Sequence, residues 1–274
     1  MVRLALGRAL GETIAMSKSH RWVVKVGSKM VCEGGPLLMR TWMQQVRELR
    51  KKHGIEVIWV SSGAIAWATA RTDFKSGRRT LPQKQALSAL GQPMIMDQYN
   101  LALQSTGLLG AQVLLTAGDM KDKTRRLNLQ NTLKELLRWQ VIPILNENDA
   151  VATEEIQFGD NDSLASQVAV MMQAKRLVLM TDVDGLYDKD PNVHPSATRI
   201  AHVKKISARE MKMAHPKAKS AQGTGGMYSK LLAAQRAGAS GIVTHMVRGD
   251  LPRNLLHIAA GQAIGTQVGG RGVG

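Results

Sequence analysis

Apolar positions along this chain fall into two rhythms. Short runs of consecutive β-branched and other apolar residues alternate with longer stretches in which apolar residues return every three or four positions. The first rhythm reads as buried strands and the second as amphipathic helices. "RWVVKVG" (21–27) predicts a strand ending in Gly, and Leu38, Trp42, Val46 and Leu49 then predict a helix that stops at Gly54. "IEVIWVSSG" (55–63) predicts a second strand with a Ser-Gly turn, followed by an Ala-rich helical piece at 64–70. A helical region over 83–105 is expected to be interrupted near Gly91 and Pro93. Then come a strand at 111–116, a helix at 125–139 with Leu129, Leu133 and Leu136 or Leu137 on one face, and a strand at 141–146. Leu164, Val168 and Met171 or Met172 mark another helix, 176–182 a strand, 225–238 a helix and 241–245 a strand.

Strands that are apolar throughout must be buried on both faces, which with alternating helices predicts an α/β fold: a three-layer αβα sandwich around a mainly parallel sheet. No internal repeat or linker interrupts the pattern, so one domain over 21–268 is expected, with a loop-rich insertion near 184–224. Residues 1–20 form an extension of unknown role, in which Met16 is an equally good start, and 269–274 read as a flexible tail.

Composition narrows the class. Hydrophobic residues at 44% and charged residues at 21% exclude disordered and collagen-like chains. No stretch reaches the roughly 18 uninterrupted apolar residues of a membrane span, so a soluble cytoplasmic protein is expected. The single cysteine, Cys32, excludes an internal disulfide and a cysteine-rich zinc site and reads as structural. The net charge of +16 attracts anions, and residues 1–53 carry 11 Lys and Arg against 3 Glu. With only two Phe and three Tyr, no basic motif interleaved with aromatics is present; solvated surface charge with some attraction for phosphate is expected, without a nucleic-acid partner.

Chemistry is expected beyond the carboxyl ends of the strands, where ligands bind in such sheets. In "KVGSK", Lys25 and Gly27 offer a point charge and an open backbone for phosphate, although a lysine snorkelling at a sheet edge reads the same way. "SSGA" (61–64) supplies hydroxyls at a helix start, for an anion or for capping. In "NENDAV" (146–151), Asp149 could accept from a substrate ammonium or close an Asx-turn. "FGDND" (158–162) places Asp160, Asn161 and Asp162 before a helix; one cap needs one of them, leaving a surplus for ligand or lysine pairing. "TDVDGLYDKDP" (181–191) suits a nucleotide base and ribose and lacks the bidentate Glu of a calcium loop. "GTGGMYSK" (223–230) brings three glycines and Lys230 to a helix start, a phosphate cradle with neither Walker A nor G-x-G-x-x-G spacing.

In this order and spacing, "KVGSK", "VSSGAIA", "NENDAVA", "FGDND", "TDVDGLY" and "GTGGMYSK" closely resemble the glutamate 5-kinases of the amino-acid kinase superfamily, over residues 22 to about 245. The resemblance implies transfer of the ATP γ-phosphoryl group to the side-chain carboxylate of L-glutamate, the entry to proline synthesis. By motif it implies catalytic roles for Lys25, Asp162 and Lys230, with Asp162 holding the lysines. It implies glutamate binding by Ser62, Gly63, Asp149 and Asn161. ATP binding would fall to Lys25, Gly27, Thr181, Asp182, Thr224, Gly225, Gly226, Met227 and Lys230. Magnesium would ride on the phosphates, with no protein metal site, and a homo-oligomer, dimer or tetramer, is implied. Lys29 departs from the pattern, standing where the family more often has Ser or Thr. The chain ends shortly after the last predicted strand, so no RNA-binding-like PUA domain is expected. The alternatives are a related aspartate or N-acetylglutamate kinase, or a basic nucleic-acid-binding protein on a kinase-like fold.

Overall fold

A computed structural model describes residues 20–74, 79–152, 160–191, 193–214 and 226–272. The first half runs β1 (Arg21–Val26), α1 (Ser28–His53), β2 (Glu56–Val60), α2 (Ala64–Thr69), α3 (Leu81–Thr106), β3 (Leu109–Leu115), α4 (Ala117–Lys121), α5 (Lys123–Arg138) and β4 (Val141–Glu147). The second half runs α6 (Asn161–Met171), β5 (Arg176–Thr181), β6 (Leu186–Tyr187), β7 (Arg199–Ile200), β8 (His202–Val203), α7 (Ala208–Met213), α8 (Met227–Ala239), β9 (Val243–Arg248), α9 (Asn254–Ala259) and β10 (Thr266–Val268).

Eight strands form one sheet in the order β3-β4-β2-β1-β5-β9-β10-β8. The first six are mutually parallel, and β10 runs antiparallel to β9. Side chains alternate across the sheet with period two. Trp22, Val24 and Val26 therefore pack with Trp42 of α1, Ile95 of α3 and Leu255 of α9 on one face. Val23 packs with Leu133 of α5, Leu164 of α6 and Leu231 of α8 on the other. The central strands β1, β2 and β5 have buried core on either side, which is why no polar alternation marks them in the sequence.

Two helices depart from expectation. The region expected to break at Gly91 and Pro93 is one continuous helix, α3. Gly91 is there for contact: a Cβ on it would lie 1.9 Å from the Ala64 carbonyl oxygen at the start of α2. Pro93 lies on the exposed side of α3, together with Ala89, the residue four positions earlier whose carbonyl loses its helical donor, so that group is open to solvent. The break falls instead in α1, at Gly35 (φ 61°) before Pro36. Gly91→Ala is expected to destabilise the protein by about 1–3 kcal/mol through overpacking, although Ala favours an ordinary helix by up to about 1 kcal/mol. Urea denaturation of the purified variant gives the sign, and a gain in stability would refute the close α2–α3 contact.

The segment read as a loop-rich insertion contains the two-stranded β6–β7 sheet, β8 and α7. Beyond 245, where strands were expected to end, lie the rest of β9, then α9 and β10. All are too short for their periodicity to register in the sequence. Gly269, assigned to the tail, donates its N–H to the Val203 carbonyl, and the Gln267 amide holds the carbonyls of Gly269 and Arg271.

Candidate active site

The connection leaving β1 leads to β2 on one side, while that leaving β5 leads towards β9 on the other, so the order of the sheet reverses between β1 and β5. At such a switch point the outgoing chains diverge and leave a crevice beyond the strand ends. Register aligns Val26 with Met180 across that crevice and Lys25 with Val60 of β2. Gly27, Ser61 and Asp182 follow their strands directly and Asn146 is the penultimate residue of β4, so all four lie at the same end of the sheet.

Lys25 shares the face of Val23, two residues away, and points at the layer containing α6 and α8. Its ammonium is 2.7 Å from Asp162 Oδ1, and the Lys230 ammonium is 3.1 Å from Asp162 Oδ2. The three residues are 4%, 0% and 5% exposed. Lys25 therefore lies in the centre of the sheet and not at its edge, and the surplus carboxylate of "FGDND" is fully enclosed by two cations. Burial pushes the Asp162 carboxyl upward, but Lys230 and Lys25 outweigh it and hold the group well below the usual carboxylate range. Burial draws Lys25 below the usual lysine value, with Asp162 opposing the shift. The Ser229 hydroxyl, which carries no role in the sequence reading, donates to Asp162 at 2.9 Å and also lies 2.9 Å from the Gly226 carbonyl.

Successive residues on a helix point about 100° apart, which separates the three polar groups at the start of α6. Asp160 is the N-cap and accepts from the Ser163 N–H at 2.8 Å. Asp162 faces β1 and α8. Asn161 turns toward β2 and β4: its amide nitrogen lies 2.8 Å from the Ser61 carbonyl, the Ser62 hydroxyl and Asn146 Oδ1. Asn146 donates in turn to Gln92 of α3 at 2.7 Å. With the nitrogen engaged, Asn161 Oδ1 is left buried without a hydrogen-bond partner among the described residues. An orphan acceptor in a polar cluster costs stability unless a donor arrives.

Ser61 and Ser62 do not cap α2. Gly63 holds that position at φ 103°, and a Cβ there would crowd Ser28 Cα at 3.3 Å and Cys32 Sγ at 3.4 Å, so both backbone and space require glycine. Ser61 instead hydrogen-bonds Tyr99, which also accepts from Trp59. Cys32 lies behind the loop, its thiol pushed up to about 11 by burial, which keeps it protonated and unreactive. Asp149, after β4, is half-buried and raised by burial against a hydrogen bond from Ser88 of α3.

Thr181 ends β5 and Asp182 follows it, with the Thr181 hydroxyl 3.1 Å from Asp182 Oδ1. Lys29 of α1 reaches Asp182 Oδ2 at 3.0 Å, a pair the sequence did not foreshadow. Gly226 is the N-cap of α8 and Gly27 that of α1, neither helix having a side-chain cap, and Met227 opens α8. Thr224 and Gly225 lie outside the described residues. Among the described residues no cluster of three His, Cys, Asp or Glu side chains is placed to hold a metal, and Asp162 is already engaged by its lysines. No described helix is long and apolar enough to cross a membrane.

Known proteins resemble both the sequence and the fold. The sequence profile of the Amino acid kinase family matches residues 20–248. The glutamate 5-kinase of Chromobacterium violaceum is 44% identical over 254 residues, covering 91% of this chain and 68% of that protein. The glutamate 5-kinase of Thermus thermophilus is 43% identical over 250 residues, covering 90% and 67%. The crystal structure of T. acidophilum isopentenyl phosphate kinase superposes with a TM-score of 0.62, covering 90% of this chain and 99% of that one, at 14% identity. That last likeness concerns the fold, whereas the others extend through the sequence: the chain belongs to the Amino acid kinase family and, within it, to the glutamate 5-kinases.

Proposed function

We propose that this chain transfers the γ-phosphoryl group of ATP to the side-chain carboxylate of L-glutamate, forming L-glutamyl 5-phosphate and ADP, the first step of proline synthesis. The observation that carries the reading is the buried Lys25–Asp162–Lys230 triad at the switch point of the sheet. A bond forms between a glutamate carboxylate oxygen and the γ-phosphorus as the bond from that phosphorus to the β-phosphate oxygen breaks. With a pKa near 4.3 the carboxylate is already ionised at neutral pH, so no general base is required. The obstacle is charge: an anion must approach an anionic phosphoryl group. Lys25 and Lys230 offset that charge, and Asp162, aided by Ser229, keeps them in place.

The uncapped starts of α1 and α8 leave N–H groups for nucleotide phosphates, between Gly27 and the Gly226–Lys230 turn. Thr181 and Asp182 take the remainder of the nucleotide, and Thr224 and Gly225 are assigned to it by motif alone. Magnesium would arrive bound to ATP and would offset charge on its phosphates. Ser62, Gly63, Asp149 and Asn161 hold glutamate, and the orphan Asn161 Oδ1 suits an ammonium donor. A free amino group is then part of recognition, since acetylation removes that cation. Hydroxylamine trapping of the acyl phosphate, with ADP measured in parallel, is expected to favour glutamate over aspartate and N-acetylglutamate by at least about tenfold. Equal or better turnover of either competitor would redirect the assignment to a related carboxylate kinase.

The kinase unit in this reading is 21–268, acting in the cytoplasm as a dimer or tetramer. Assembly is supported by exposed Leu90 and Leu101 on one side of α3 and by exposed Leu109 and Leu114 on β3, an uncharged edge strand.

A further inference from the structure

Lys29, in the first turn of α1 after β1, and Asp182, just past β5, face each other on the rim of the crevice. Their side chains are 51% and 43% exposed. Other charges at this rim have partners of their own: Arg248 is 2.6 Å from Asp250 and Arg199 is 3.4 Å from Asp184. The buried carboxylate of Asp162 is taken by Lys25 and Lys230. An exposed single ion pair contributes little to stability and separates readily. A polyphosphate offers an ammonium more charge and more acceptor oxygens than one carboxylate, and so wins the competition for it. The side chain is long and flexible, and its backbone is only two residues beyond Gly27.

We propose that Lys29 is a nucleotide-phosphate lysine that exchanges partners on binding: it pairs with Asp182 in the free protein and passes to the phosphate chain of ATP, releasing Asp182 to accept from the nucleotide's hydroxyl groups. The proposal rests on the ATP-binding reading above. It makes the β1–α1 turn of this chain a two-lysine turn, Lys25 acting inside the reaction centre and Lys29 at its mouth.

Dissociation constants for Mg-ATP, ADP and adenosine, measured by calorimetry on the full chain, test it. Lys29→Ser is expected to weaken ATP and ADP by about tenfold without weakening adenosine, and Lys29→Arg is expected to recover most of the loss. The loss is expected to persist when Lys29→Ser is made in an Asp182→Asn background. If it vanishes there, Lys29 serves only to cancel Asp182, and the exchange is refuted. Equal weakening of all three ligands, or none, refutes it as well. Wild-type protein that binds no ATP would overturn the kinase reading and the proposal together, whereas equal ATP binding by wild type and Lys29→Ser would overturn only the role of Lys29.

Discussion

Asp162→Ala is expected to cost about 3–5 kcal/mol of stability, because it leaves two buried ammonium groups facing each other without an anion between them. That is a large share of a typical domain stability of about 5–15 kcal/mol, so part of the variant population should unfold at neutral pH. Asp162→Asn keeps the volume and the acceptor oxygen but not the charge, and should fall between the two. Urea denaturation across pH adds a signature specific to the carboxylate. Its folded pKa lies below the unfolded value near 3.9, so its contribution is complete above about pH 4 and lost as pH falls toward the folded value. The gap between wild type and Asp162→Ala should therefore be constant from neutral pH down to about 4 and narrow only below it. A gap that closed between pH 7 and 5 would mean that Asp162 is not held ionised by its lysines. A variant as stable as wild type would mean that the triad is not a buried unit.

The parts of this architecture visible beforehand were those with a repeating signal. The β-branched runs at 22–26, 56–60 and 176–181 are buried on both faces, so the parallel, doubly covered sheet could be read from them. The direction of Lys25 was also implicit, two positions from Val23, once the strand was given a period of two. What could not be read were single polar contacts between distant segments. Lys29 and Asp182 are 153 positions apart and Ser229 and Asp162 are 67 apart, and one pairing of that kind leaves no periodicity. Gly91 and Pro93 misled for a different reason. Both are helix breakers by local propensity, but the approach of Ala64 favours glycine, and solvent tolerates the proline. "FGDND" shows both limits: its surplus over capping was countable, whereas dividing Asn161 from Asp162 required knowing what lies on each side of α6.

Lys25→Ala and Lys230→Ala are each expected to lower kcat by about 10²–10³, the scale seen when one preorganised charge-stabilising group is lost. Both variants should fold, because Asp162 keeps one cation in each. Glutamate KM should move little, since the proposed glutamate contacts Asn161 and Ser62 bond to each other, apart from the two lysines. Lys25 is held below the ordinary lysine value by burial, so as pH rises it loses its proton before a free lysine with a pKa near 10.4 would. Wild-type kcat should consequently fall along an alkaline limb centred below that value, while Lys25→Ala, having no such proton to lose, should lack this limb in its residual activity. Wild-type-like turnover by either purified variant would refute transfer between the two lysines. If instead both lose activity but Lys25→Ala keeps the limb, the titrating group is another, and Lys25 acts through its position without its proton setting the alkaline limit.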